Sequence, residues 1–218
     1  MKLFLGVLYF IGLYSAYMAG SLYLRTQSRY SNHSSEPSAK RTPYATLILA
    51  LAIAIPTTLQ FFVPTMLQMF ERDYAKFLQG EWWRLVTSLF VQDGGLSGSI
   101  FNLVGLILMG MVAEELWGSQ KWLILFFGGG IISQVVAFAW QPVGAGNSVA
   151  NFSLAGGTAV LCLASDVPRP SKVMSILVLA IGGIFFFFKD IHGPAVMLGA
   201  FLAFLILQLD RYRLKKQS

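Results

Sequence analysis

Asn102, Ser148 and His192 are polar side chains set in stretches of sequence that are otherwise apolar. A serine hydroxyl is a weak nucleophile until a base takes its proton, and a neutral imidazole near pH 7 suits that work. Attack by such a hydroxyl on a carbonyl would form an oxyanion. The loop Gly144-Ala145-Gly146-Asn147, directly before the serine, can turn sharply and is expected to aim backbone N–H groups at the same point. Polar groups are costly to bury in hydrocarbon, which marks these three as candidates for chemistry. Each also has a structural role open to it. A serine can bond a carbonyl one turn back, an asparagine can join helices, and His192 beside Lys189 and Asp190 can be an interfacial residue. Their conjunction is what favours chemistry.

Whether they meet depends on the elements that carry them. Of the 218 residues, 56% are hydrophobic and 12% charged, too few charges to cover a soluble globule. Apolar runs at 3–23, 44–63, 96–117, 122–140, 148–164, 173–188 and 191–209 are long enough to cross a bilayer. They lack period-2 alternation, and helices satisfy their own backbone groups in lipid, so the expected fold class is an all-α membrane protein. The first run follows Lys2 but is long and lacks a small-residue cleavage site, which favours an uncleaved helix over a secretory signal. The single Cys162 excludes an intramolecular disulfide and multi-cysteine zinc sites, and two histidines leave little room for a metal centre. No metal or cofactor is expected. The basic residues lie in short loops between apolar runs, which fits membrane topology rather than a nucleic-acid partner.

Orientation follows from those loops. With the N-terminus outside, the inner side holds Arg25, Arg29, Lys40, Arg41, Lys121, Arg169, Lys172, Arg211, Arg213, Lys215 and Lys216, against Lys2, Arg72, Lys76, Arg84 and Lys189 outside. The expected organisation is an accessory transmembrane helix at 1–23, a polar basic cytoplasmic linker at 24–43, a six-helix core at 44–209 and a basic cytoplasmic tail at 210–218. The spans carrying Asn102, Ser148 and His192 then all run inward, with Asn102 about 9 Å along its helix. His192, Ala195 and Gly199 share one helix face, as do Ser148, Phe152 and Gly156, so two helices could approach closely with Phe152 against the imidazole.

The stretch 64–95 is too polar to span and too apolar to float free. Met66, Met69, Phe70, Tyr74, Phe77 and Leu78 recur at helical spacing opposite Gln68, Glu71, Arg72, Asp73 and Lys76, the pattern of a helix lying in the interface. Trp82 and Trp83 suit the headgroup region. A tethering loop with no chemical role is the alternative.

Taken in order, these segments resemble the rhomboid intramembrane serine proteases. Gly80-Glu81-Trp82-Trp83-Arg84 through Phe90 is similar to the tryptophan–arginine element of the family's first outer loop, and Phe101-Asn102 to its asparagine motif. The run Ala113-Glu114-Glu115-Leu116-Trp117-Gly118-Ser119 resembles the acidic segment closing that helix, Gly146-Asn147-Ser148-Val149 the glycine-x-serine motif, and His192 with Gly199 the histidine helix. The resemblance covers about 44–209 and implies a six-helix core, here with one extra N-terminal helix. It implies Ser148 as nucleophile, His192 as base, and Asn102 with the Ser148 N–H as oxyanion donors. Phe152, Gly146 and Trp83 are the expected substrate-contacting positions. Gly98 stands where the family usually has a histidine, Asp93 where it often has another, Val149 where it has glycine and Ile191 where it has a small residue. The implied function is hydrolysis of peptide bonds in or near transmembrane segments of other proteins, in a multi-pass protein of the cell membrane. A catalytically silent relative that only binds such segments is the alternative, favoured by Gly98. A small transporter is weaker still, since no span carries paired carboxylates.

Overall fold

Apolar runs without polar partners for their backbone must close their own hydrogen bonds in lipid, and here they fold as helices. The computed structural model describes residues 2–31, 42–63 and 65–217. Its long helices are α1 (Lys2–Ser31), α2 (Tyr44–Leu59), α6 (Gly95–Trp117), α9 (Ser148–Ala164), α10 (Arg169–Phe187) and α11 (His192–Gln217). Between α2 and α6 come the short helices α3 (Thr65–Phe70), α4 (Tyr74–Leu78) and α5 (Arg84–Thr87), with the two-residue strand β1 (Arg72–Asp73) after α3. Between α6 and α9 lie α7 (Ser119–Leu123), a π-helical stretch (Ile124–Gly129), α8 (Gly130–Ala137) and strand β2 (Val143–Gly144). Among the described residues four helical stretches are long and apolar enough to cross a membrane, the one from Gly95 to Ala137 running through α6, α7 and α8. The chain is an all-α, multi-pass membrane protein.

Helix α9 is the axis of the bundle. Every residue from Ser148 to Ala159 is buried. At about 1.5 Å per residue its 17 residues reach about 25 Å, short of a hydrocarbon core of about 30 Å. A helix enclosed by protein need not span that thickness, and the loop leading to it descends into the molecule, where irregular backbone survives only if protein or water satisfies it. The most extensive helix pair is α9 with α11. A Cβ at Gly156 would lie 2.1 Å from the Val196 carbonyl oxygen, and one at Gly199 would lie 1.9 Å from the Ser153 carbonyl oxygen. Glycine at both positions permits the close approach that the small-residue faces predict.

Three expectations change. Helix α1 runs to Ser31, so residues 24–31 of the expected linker are helical, while 32–41 lie outside the described residues. It also packs along α10, α9 and α6, as part of the bundle. The stretch expected at 64–95, described from 65 onward, holds three short helices and a strand before α6, because capping and tethering break it up. The Asp73 side chain accepts from the Lys76 N–H at 3.2 Å and opens α4, and Gly80 turns the chain at φ +98°. Arg84, buried, donates from Nη1 to the carbonyls of Gln68 and Glu71 and from Nε to Glu81. Lastly, the fourth apolar run contains the π-helical stretch between α7 and α8.

Candidate active site

The loop before Ser148 is held by the segment before α6. Strand β1 pairs antiparallel with β2, Arg72 opposite Gly144 and Asp73 opposite Val143. The Ala145 N–H donates to Asp93 Oδ2 at 2.9 Å and the Gly146 N–H to the Ser88 carbonyl at 2.8 Å. These two N–H groups therefore serve to anchor the loop, contrary to the expectation that they face an oxyanion. Arg72 binds beneath, donating to Gln134 Oε1 and to the Gln141 carbonyl. Burial draws its guanidinium down to about 10, opposed by the charge of Asp93.

Gly146 has φ +138°, a conformation that side chains disfavour. A Cβ there would also meet Asn102 Nδ2 and Gln92 Oε1 at 3.3 Å and Ser148 Oγ at 3.6 Å. The turn delivers the chain to Ser148 at the first position of α9, where backbone N–H groups lack helical partners. The Ser148 N–H has no hydrogen-bond partner among the described residues. Ser148 itself is 9% exposed.

From α11, His192 Nε2 lies 2.9 Å from Ser148 Oγ. The other ring nitrogen, Nδ1, lies 2.5 Å from Asp190 Oδ1, which also accepts the His192 backbone N–H at 3.0 Å. A carboxylate on Nδ1 favours the tautomer with hydrogen there and a lone pair on Nε2, facing the serine. Burial raises Asp190, but the His192 ring N–H, its charge and its backbone N–H outweigh burial and hold the carboxyl below its ordinary value. The end of α10 aims Asp190. The Asp190 N–H bonds the Phe185 carbonyl and the Lys189 N–H the Phe186 carbonyl, with Lys189 left-handed at φ 57°, a Schellman ending. Sequence reading treated Lys189-Asp190 as an interfacial pair and missed this role. The legible signal was a carboxylate two residues before a histidine at a helix start.

Asn102, from α6, donates from Nδ2 to Gln92 Oε1 at 2.8 Å, and its Oδ1 accepts the Tyr9 hydroxyl at 2.9 Å. Its carbonyl accepts from Asn147 and Asn151, and Gln92 in turn donates to Asn147 Oδ1. This buried amide network locks α6 to α9, and neither Gln92 nor Tyr9 was anticipated. Phe152 packs on the imidazole with centroids 5.0 Å apart, as expected. Trp83 is exposed and its ring meets Trp82; no described ring contact or hydrogen bond joins it to Ser148 or His192. Among the described residues no group of three or more His, Cys, Asp or Glu side chains could hold a metal ion. Chemically, the arrangement offers a hydroxyl on a base, a carboxylate behind the base, and an amide and a free N–H beside the hydroxyl.

Comparison with known proteins gives the same direction. The chain is similar to rhomboid protease GluP of Bacillus subtilis (strain 168), 28% identical over 102 residues, covering 46% of this chain and 20% of that protein. It is similar to Rhomboid-like protease 3 of Toxoplasma gondii, 31% identical over 128 residues, covering 56% and 48%. The match thus spans less than half the length of each of these two relatives. A family model described as the Rhomboid domain matches residues 79–209, more than half of the chain and the part that includes Asn102, Ser148 and His192, and the chain belongs to the rhomboid family.

Proposed function

We propose that this protein is an active intramembrane serine protease that cuts peptide bonds in or near transmembrane segments of other membrane proteins. The observation that carries the reading is the contact of His192 Nε2 with Ser148 Oγ at 2.9 Å, with Asp190 on the far ring nitrogen. Ser148 Oγ attacks the scissile carbonyl carbon as its proton passes to His192 Nε2. The carbonyl oxygen becomes an oxyanion facing Asn102 Nδ2 and the Ser148 N–H. His192 returns the proton to the leaving amine, and water, activated by the same ring, hydrolyses the acyl-enzyme. Asp190 acts through His192, holding its tautomer and balancing the imidazolium.

A substrate must present an extended carbonyl, whereas an intact membrane helix keeps its carbonyls hydrogen-bonded. Substrate helices with Gly or Pro near the cut unwind at lower cost. Helix α1 and the core at 44–209 sit with the N-terminus outside, and the basic residues from 210 onward, which continue α11 as far as Gln217, lie on the cytoplasmic side, as the loop charges direct. Gly98, lacking the family's usual histidine, favours a relative that binds transmembrane segments without cutting. The retained contact of Ser148 with His192 favours the protease, since a binding scaffold has no use for that pair.

The test is a fluorophosphonate probe applied to the purified protein in detergent. Labelling is expected in the parent and absent in Ser148→Ala. Cleavage is expected to vanish in Ser148→Ala and His192→Ala alike, with the double variant no slower than either, because the two act as a unit. Labelling that persists in Ser148→Ala would remove the assigned nucleophile.

A further inference from the structure

Helix α1 brings Tyr9 onto the Ser148–His192 pair. The Tyr9 ring stands edge-on to His192 with centroids 4.6 Å apart and edge-on to Phe152 at 4.7 Å, and tilts against Phe101 at 5.2 Å. Its hydroxyl donates to Asn102 Oδ1 at 2.9 Å and faces the Ser148 side chain. Three aromatic neighbours hold the ring, so the hydroxyl hydrogen can turn about its C–O bond without the ring moving.

The donors from the other helices are few. Asn102 Nδ2 already gives one hydrogen to Gln92 Oε1. Gly98, one turn earlier on α6, contributes no side chain, and a Cβ there would meet nothing within 4 Å. The Ala145 and Gly146 N–H groups are committed to Asp93 and Ser88. That leaves one amide hydrogen and the Ser148 N–H for a developing negative charge.

We propose that the Tyr9 hydroxyl is a third oxyanion donor, supplied by the accessory helix in the place of a side chain that α6 lacks. On attack by Ser148 the hydroxyl turns from Asn102 Oδ1 to the tetrahedral oxygen, exchanging a neutral hydrogen bond for a stronger charge-assisted one. The proton stays on Tyr9 throughout. Tyr9 is then a catalytic residue, and α1 a component of the site. This inference rests on the protease reading above.

The test uses the full chain in detergent and the fluorophosphonate probe, whose phosphonyl oxygen takes the oxyanion position. Tyr9→Phe removes the hydroxyl and keeps the ring. The expected result is a maximal labelling rate lower by about a hundredfold, the typical loss of one oxyanion donor, with the half-saturating probe concentration within about twofold of the parent. Labelling of Tyr9→Phe at the parent's rate overturns the inference and leaves the protease reading standing. Faster labelling also overturns it, and makes the phenol a plug over the serine. A parent that is not labelled, or a Ser148→Ala variant labelled as well as the parent, removes the protease reading and the inference together. Should Tyr9→Phe fail to fold, Tyr9→3-fluorotyrosine keeps a hydroxyl of greater acidity; faster labelling than the parent supports the inference, and an unchanged rate overturns it.

Discussion

A carboxylate two residues before a histidine, at the entrance to a helix, can bind both the backbone N–H and the ring N–H of that histidine, as Asp190 does with His192. Asp190→Asn removes the charge behind the imidazolium while keeping the shape. A hydrogen bond to a charged group contributes about 1.5–3 kcal/mol, so kcat is expected to fall about ten- to hundredfold with KM little changed. The same residue sets an acid limit. Because the folded Asp190 carboxyl titrates below its unfolded value, its stabilisation is complete above the unfolded value of about 3.9 and is lost as pH falls through the folded one. Thermal unfolding is expected to show the parent more stable than Asp190→Asn at pH 7, the gap closing below about pH 4. In the proposed mechanism Asn102 supplies the oxyanion donor from α6. Asn102→Ala is expected to slow cleavage by about two orders of magnitude or more, and a rate within about threefold of the parent would return Asn102 to a purely helix-joining role.

At the scale of elements, the 2.9 Å contact between Ser148 and His192 exists because α9 and α11 touch backbone to backbone. Gly199→Ala places a methyl where only 1.9 Å separates the Cβ position from the Ser153 carbonyl oxygen, and backbone cannot swing aside as a side chain can. Overpacking of this kind costs about 1–3 kcal/mol. The variant is expected to insert in the membrane, melt at lower temperature and lose more than tenfold in activity, since separating the helices stretches the Ser148–His192 contact. Helix α1 behaves as an element of this same assembly. Ser171 of α10 donates to the Ala19 carbonyl, and Tyr9 reaches Asn102.

For the whole molecule, the proposed topology puts the short helices α3 to α5 outside and α7 inside, on the strength of the distribution of Lys and Arg. Cys162→Ser removes the single cysteine, which lies buried, and leaves a clean background. Gln79 and Gln120 are both exposed and lie at opposite ends of the proposed topology. In that background Gln79→Cys is expected to react with an impermeant maleimide on intact cells, and Gln120→Cys only after lysis. The reverse pattern would invert the topology and turn Ser148 toward the cytoplasm.

Membrane class, helical spans and three of the principal polar residues were legible in the sequence because each rests on local information. A polar residue in an apolar run is visible wherever it stands, and the helical period places Ser148 with Phe152, and His192 with Gly199, on single faces. The contact of Phe152 with the imidazole and the tight α9–α11 crossing followed from those faces. The interfacial helix expected at 64–95 failed because its period is real only over short pieces, and the buried Arg84 and the cap at Asp73 break it. Asp190, Gln92 and Tyr9 stayed hidden for a different reason. Asp190 depends on a left-handed turn at Lys189 that aims it back at its neighbour. Gln92 reaches across 55 residues to Asn147, and Tyr9 across 93 to Asn102. Periodicity says which side chains share a face, but which faces meet is settled by the packing of the whole bundle, and there the helix that looked accessory lies against the serine and the histidine.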